Sequence, residues 1–216
     1  MGQDSNSNRP TLPEGVESRI CKIQFRAAAA DSGDQSDRVE MYAAVFGKLS
    51  EDLGGFVEII EAGAFADAIG VSDIRALINH DANRVLARNT AGTLDVKEDE
   101  TGFWCGFSMP GTTYSDDLKI SMSRGDINQC SFAFEVATDG EKWEYLNPPT
   151  HDLPTWRRTV TKVKRIYDVS IVTYPAYPDT TAALRSRPAA PGEKREIPPV
   201  DDSKADWEAY MTAAAI

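Results

Sequence analysis

"NQCSFAFEV", residues 128–136, is the stretch from which the rest of the chain can be read. Side chains of an extended strand alternate between two faces, so Cys130, Phe132, Phe134 and Val136 share one side while Ser131, Ala133 and Glu135 share the other. The phenylalanines mark the first side as core. Cys130 therefore sits in apolar surroundings, where a thiol stays protonated and inert, and Ser131 lies on the face that polar groups can approach. Of the two adjacent candidate nucleophiles, the serine is the better placed.

The neighbouring segments supply partners for such a strand. Residues 18–29, "SRICKIQFRAAA", and 38–50, "RVEMYAAVFGKLS", alternate apolar and polar side chains on either side of the turn-rich "DSGDQSD", which predicts a hairpin. Residues 56–70, "FVEIIEAGAFADAIG", read as a short strand and then a compact helix with Phe65, Ala68 and Ile69 at helical spacing, stopped by Gly70. "DIRALINHD", "RVLARN", "TLDVKED" and "FWCGFSMP" follow as a meander of short strands, a rhythm that suits a barrel or a sandwich. Tyr114, Leu118 and Met122, four apart, predict a helix across "TTYSDDLKISMSRGD". "ATDGEKWEYLNPPTHDLPTW" has the prolines of an exposed excursion, and residues 157–180 read as one long or two consecutive strands. The fold class is mainly β with a few helices.

Composition narrows the function. The 216 residues carry 23 basic and 34 acidic side chains, a formal net charge of −11, so the surface as a whole repels nucleic acid phosphates and anionic membranes. No apolar run approaches the roughly 20 residues of a membrane span, and the polar start lacks the pattern of a signal peptide, which predicts a cytosolic protein with no nucleic acid or membrane partner. Cys21, Cys105 and Cys130 lack the spacing of a zinc site or a disulfide framework and read as reduced core residues. No cofactor is expected. Residues 1–17 read as a flexible N-terminal arm, 18–185 as the folded domain and 186–216 as a linker and C-terminal tail.

A serine hydroxyl is a weak nucleophile and needs a base within reach, itself oriented by a third group. The chain holds two histidines, His80 and His151. His151 lies in the proline-rich loop "NPPTHDLP", whereas His80 ends the strand "DIRALINHD", where it can present its ring at a sheet rim. By residue type alone, a serine on a polar strand face is more often a solvated surface residue and a strand-end histidine more often a turn residue. Asp168 interrupts the apolar "IYDVSIV", where an unpaired carboxylate is costly, and so wants a partner.

Five ordered motifs, "YAAVFGKLS", "GGFVEIIEAGAFADAI", "IRALINHDANRVLAR", "GDINQCSFAFEV" and "YDVSIVTYPAYPDT", resemble the prohead (procapsid) maturation proteases of tailed phages, across roughly residues 20–185. The resemblance implies a closed or partly open antiparallel β-barrel of the herpesvirus capsid-protease type. It also implies a serine endopeptidase that cleaves scaffold or major capsid protein segments, and itself, inside the prohead. Ser131 would be the nucleophile, His80 the general base and Asp168 the third member, with Glu135 or Asp81 as fallbacks for the acid. The implied partners are the major capsid protein with its scaffold (delta) segment and the portal-containing procapsid in the host cytoplasm, with a homodimer as a further possibility. The alternative is a non-catalytic capsid-assembly module on the same fold. "TYPAYPDT" reads equally as a rigid substrate-facing rim or a strand terminator, and the tail after residue 186 as a self-cleavage or scaffold-docking segment. Arg165, among alternating basic residues, reads as a surface arginine rather than an oxyanion donor.

Overall fold

Eleven strands and two helices build the described part of the chain. The computed structural model describes residues 15–25, 37–147 and 154–173, the side chains of residues 20–25 excepted. The N-terminal arm up to residue 14, His151, the aromatic and proline run from Tyr174 and the tail after residue 186 lie outside these residues.

The expected hairpin is present: β1 (Val16–Phe25) pairs antiparallel with β2 (Arg38–Val45). The predicted strand and helix follow as β3 (Phe56–Ile60) and α1 (Ala66–Val71). Gly70 does not end α1, because the helix continues through it to Val71 and Ser72 takes the extended cap conformation. The expected meander is instead two hairpins, β4 (Arg75–Ile78) with β5 (Asp81–Arg88) and β6 (Leu94–Glu98) with β7 (Gly102–Ser108), which occupy opposite ends of one large sheet, so β5 and β6 do not pair. The helix α2 (Thr113–Ser123) buries Leu118 and Met122 on one face, as their spacing predicts. It leads to β8 (Gln129–Val136), which carries Ser131.

Downstream, the expected excursion is partly regular structure. β9 (Glu141–Tyr145) pairs antiparallel with β10 (Trp156–Val160), and β10 runs parallel to β3, forming a three-stranded sheet. The final strand, β11 (Val163–Val172), joins the large sheet, so residues 157–172 form two strands, not one. That sheet has the order β5-β4-β11-β8-β1-β2-β7-β6. The protein is thus mainly β, as the sequence indicates, but no closed barrel is found among the described residues.

β1 hinges the large sheet, with residues 16–22 paired to β8 and residues 23–25 to β2. The β2-β7-β6 half thereby folds over the β8-β11-β4 half, and rings from both meet in one core. Phe103 of β7 stacks on Phe65 with centroids 4.9 Å apart and meets Phe132 of β8 edge-on, while Phe132 stacks on Phe134 at 4.8 Å. Offset and edge-on pairs of this kind add to area burial.

Between the two sheets lies a buried ionic cluster. Arg19 meets Glu58 at 2.6 Å and Glu17 at 2.5 Å, and Arg158, with its side chain 2% exposed, donates to Glu17 at 2.7 Å, Glu58 at 3.0 Å and Glu141 at 2.6 Å. Arginine suits the position because its planar fork holds several carboxylates at once.

The cysteines depart in part from expectation. Cys105 is a free, buried thiol, and burial pushes its pKa well above the ordinary value. Cys130 is disulfide-bonded rather than reduced, and the backbone register places Cys21 directly across from it.

Candidate active site

Ser131 occupies the middle of the large sheet, with Ile20 of β1 across one ladder and Ser170 of β11 across the other. The pleat turns its side chain away from Phe132 and Phe134, as alternation predicts. That second face is not solvated: Ser131, Ala133 and Ser170 are fully buried, and Leu77 of β4, across the ladder from Ser170, is nearly so. Among the described residues the Ser131 hydroxyl has no hydrogen-bond partner, a costly condition for a buried polar group and one that calls for a reason.

Asp168 reaches the same face only through a local irregularity. Ile166 pairs with Phe134 in the core, and strict alternation would point Asp168 to the core as well. A β-bulge at Tyr167 instead pairs Asp168 with Ala133, which moves the carboxylate to the side of Ser131. Ser72, just after α1, supports the bulge by accepting the Ile166 N–H on its hydroxyl at 3.0 Å.

His80 comes from the turn between β4 and β5. Ile78 pairs with Asp81, leaving Asn79 and His80 as a two-residue hairpin loop with φ of 53° and 57°. Left-handed φ at both positions is the pattern of a type I′ turn, which suits asparagine at the first and normally glycine at the second. A histidine there is strained by about 1–2 kcal/mol, the kind of cost retained where the surroundings hold a functional group in place. The surroundings do so. The Asn79 N–H donates to Ile171 O at 2.9 Å, the Asn79 carbonyl Oδ1 accepts the Thr173 N–H at 2.8 Å, and the His80 N–H donates to Ser170 Oγ at 3.2 Å.

The ring and the carboxylate meet: His80 Nδ1 lies 2.7 Å from Asp168 Oδ1. An ionised carboxylate only accepts, so Nδ1 carries the proton and Nε2 presents a lone pair. Nε2 is buried and has no hydrogen-bond partner among the described residues. Ser131 Oγ and His80 Nε2, a donor and an acceptor, are thus both unpaired among the described residues and make no hydrogen bond to each other; contacts of this type in free enzymes often tighten only when substrate binds. Burial pulls the imidazole pKa down, but the charge of Asp168 and its hydrogen bond outweigh that effect and leave His80 above the usual 6.5.

The two fallback acids are engaged elsewhere. Glu135 accepts from Lys164 at 2.7 Å and Tyr167 at 3.2 Å, and Asp81 accepts the Asn83 N–H at 2.9 Å. Arg165 is exposed and lies over the Tyr167 ring, 5.2 Å from its centroid, in keeping with its reading as a surface residue. Among the described residues, no group of three His, Cys, Asp or Glu side chains gathers to hold a metal, and no helix is long and apolar enough to cross a membrane.

Two contributors to the site went unremarked in the sequence, Ser170 and Asn79. Ser170 Oγ donates to Asp168 Oδ1 at 2.5 Å. The signal was available, since residues 168 and 170 of one strand share a face, and "INHD" between two strands carries an asparagine suited to a tight turn.

A family model described as caudovirus prohead serine protease matches residues 23–195. The chain belongs to this family. The match spans all of the elements that carry Ser131, His80 and Asp168 and identifies the protein with the serine peptidases of tailed-phage capsid maturation. No curated protein and no solved structure matches the chain.

Proposed function

We propose that the chain is a serine endopeptidase in which Ser131 is the nucleophile, His80 the general base and then general acid, and Asp168 the group that fixes the ring. The observation that carries the reading is the pair of buried, unpartnered atoms, Ser131 Oγ and His80 Nε2, with the other ring nitrogen engaged by Asp168. Ser131 Oγ attacks the scissile carbonyl carbon as its proton passes to Nε2, and the carbonyl π electrons move to oxygen. Collapse breaks the C–N bond, and the leaving amine takes the proton from His80. Water, deprotonated by the same nitrogen, then releases the acyl group from Ser131.

Family membership supports a role in the immature phage shell in the host cytoplasm, where the substrates would be scaffold or major capsid protein segments and the chain itself. The finer fold reading, a partly open barrel of the herpesvirus capsid-protease type, is supported by the way β1 is shared between the two halves of the sheet. Labelling with a serine-directed fluorophosphonate tests the chemistry: the parent chain is modified at Ser131, and His80→Ala and Ser131→Ala are not. A chain that is folded but unlabelled at Ser131 while still binding capsid protein is instead the non-catalytic assembly module, a reading favoured by the lack of a direct Ser131–His80 hydrogen bond.

A further inference from the structure

Ser170 is fully buried between Val169 and Ile171 on β11, directly across the ladder from Ser131, and both of its hydrogen-bonding roles are directed at the site. Its hydroxyl donates to Asp168 Oδ1 at 2.5 Å and accepts the backbone N–H of His80 at 3.2 Å. Asp168 Oδ1 therefore takes two donors, the Ser170 hydroxyl and His80 Nδ1–H, and rotation of the carboxylate about its Cβ–Cγ bond would break both. The same hydroxyl holds the main chain of His80 at a left-handed φ of 57°.

We infer that Ser170 is a positioning residue that fixes His80 relative to Ser131 by tying the Asp168 carboxylate and the His80 backbone to one hydroxyl. This rests on the roles proposed for Ser131, His80 and Asp168. A buried serine could serve only to satisfy its neighbours, but this one joins the acid to the residue that carries the base, and it does so beside the nucleophile. The charged groups near the ring are few. Asp168 is the one whose charge acts on His80 among the described residues, Arg75 across the β4 ladder from Asp168 is paired with Asp73 at 3.2 Å, and Asp81 is held by Asn83 and Arg84. A change in the titration of His80 therefore reports on Asp168 and the donors that hold it.

The test uses the full chain with His151 replaced by Gln, so that one histidine remains, and with Ser131→Ala to prevent self-cleavage; NMR follows the His80 ring through pH. Ser170→Ala removes the hydroxyl that shares Oδ1, leaves the carboxylate charge to the ring alone and moves the His80 midpoint upward, and Ser170→Thr restores it. With Ser131 present, Ser170→Ala slows fluorophosphonate labelling on the order of 10- to 100-fold, as expected when a supporting partner of a catalytic imidazole is lost. A midpoint that stays or falls in the folded Ala variant, or labelling at the parental rate, overturns the inference. Should Ser170→Ala fail to fold, Ser170→Cys, whose thiol donates weakly, takes its place, and a parental midpoint in that variant is equally fatal. Because the NMR midpoint is read without turnover, failure of this inference is distinct from failure of the proposed peptidase chemistry, which would show as an unlabelled Ser131 in the parent.

Discussion

His80 Nδ1 lies 2.7 Å from Asp168 Oδ1, and this contact outweighs the effect of burial to hold the imidazole pKa above its usual 6.5. The proposed base works only when neutral, so the labelling rate of Ser131 falls as pH is lowered through a midpoint above 6.5. Asp168→Asn removes the charge that raises the midpoint. Labelling by that variant has its midpoint shifted to lower pH and is slower by up to about 10⁴-fold, the scale of a lost triad acid. The linkage to stability has the opposite sense: with the folded pKa raised, the pair stabilises fully below the unfolded value and loses that contribution as pH rises through the folded one. A parental profile in Asp168→Asn rules out the role proposed for this carboxylate.

Asn79 separates turn geometry from tethering. Its backbone requires φ of 53°, and its side chain accepts the Thr173 N–H at 2.8 Å. Asn79→Gly keeps the left-handed conformation and loses the tether, whereas Asn79→Ala loses the tether and adds strain of about 1–2 kcal/mol. Labelling is therefore slowed in both variants, and urea unfolding in the Ser131→Ala background shows Asn79→Ala to be the less stable of the two. Equal stability would mean that the turn tolerates a Cβ at this φ without cost.

The bulge at Tyr167 explains why the face on which Asp168 emerges is hidden in the sequence, although the residue itself stands out there. Alternation along "CSFAF" correctly separates Phe132 and Phe134 from Ser131, and the helical spacing of Leu118 and Met122 identifies their buried face, because each pattern follows directly from backbone geometry. The same alternation sends Asp168 to the core beside Ile166. Only a pairing register, which depends on β8 being the neighbour, reveals the extra residue that turns it over. β9 was missed for a related reason: "EKWEY" is polar on its exposed face and bounded by turn residues, and it becomes a strand through pairing with β10, eleven residues further on at the nearest register. The disulfide at Cys130 likewise depends on which strand lies opposite, and three scattered cysteines do not reveal that.

Ser72 supports the bulge from outside the strand. It is buried, and its hydroxyl accepts the Ile166 N–H at 3.0 Å where the β8–β11 ladder is interrupted. Ser72→Ala leaves a buried backbone donor without a partner, at a cost of about 1–3 kcal/mol by urea unfolding. Since the bulge sets the face on which Asp168 emerges, labelling of Ser131 slows as well. A variant that is destabilised but labelled at the parental rate would show that the bulge is held by the β-ladder on its own.

Arg158 carries the largest expected loss of stability. Its guanidinium, with the side chain 2% exposed, contacts Glu17, Glu58 and Glu141, and its removal leaves Glu17 and Glu58 with only Arg19 between them. Breaking a buried pair from one side costs about 3–5 kcal/mol, so Arg158→Leu is expected to lower the urea midpoint far more than any change at the exposed Arg165. The cluster also sets an acid limit on the fold. Burial tends to raise the Glu17 pKa, but the hydrogen bonds and charges of Arg158 and Arg19 prevail and hold it below the ordinary 4.5. A depressed folded pKa means that this stabilisation is present above the unfolded value and is lost as pH falls through the folded one. Glu17→Gln removes the ionisation, so it lowers stability at neutral pH and flattens the acid limb of the stability curve below about pH 4.5. An acid limb as steep as the parent's in Glu17→Gln would assign acid sensitivity to other carboxylates. A small loss in Arg158→Leu would show instead that the apolar leucine compensates for the ion pairs it replaces, as well-packed substitutes for buried pairs can.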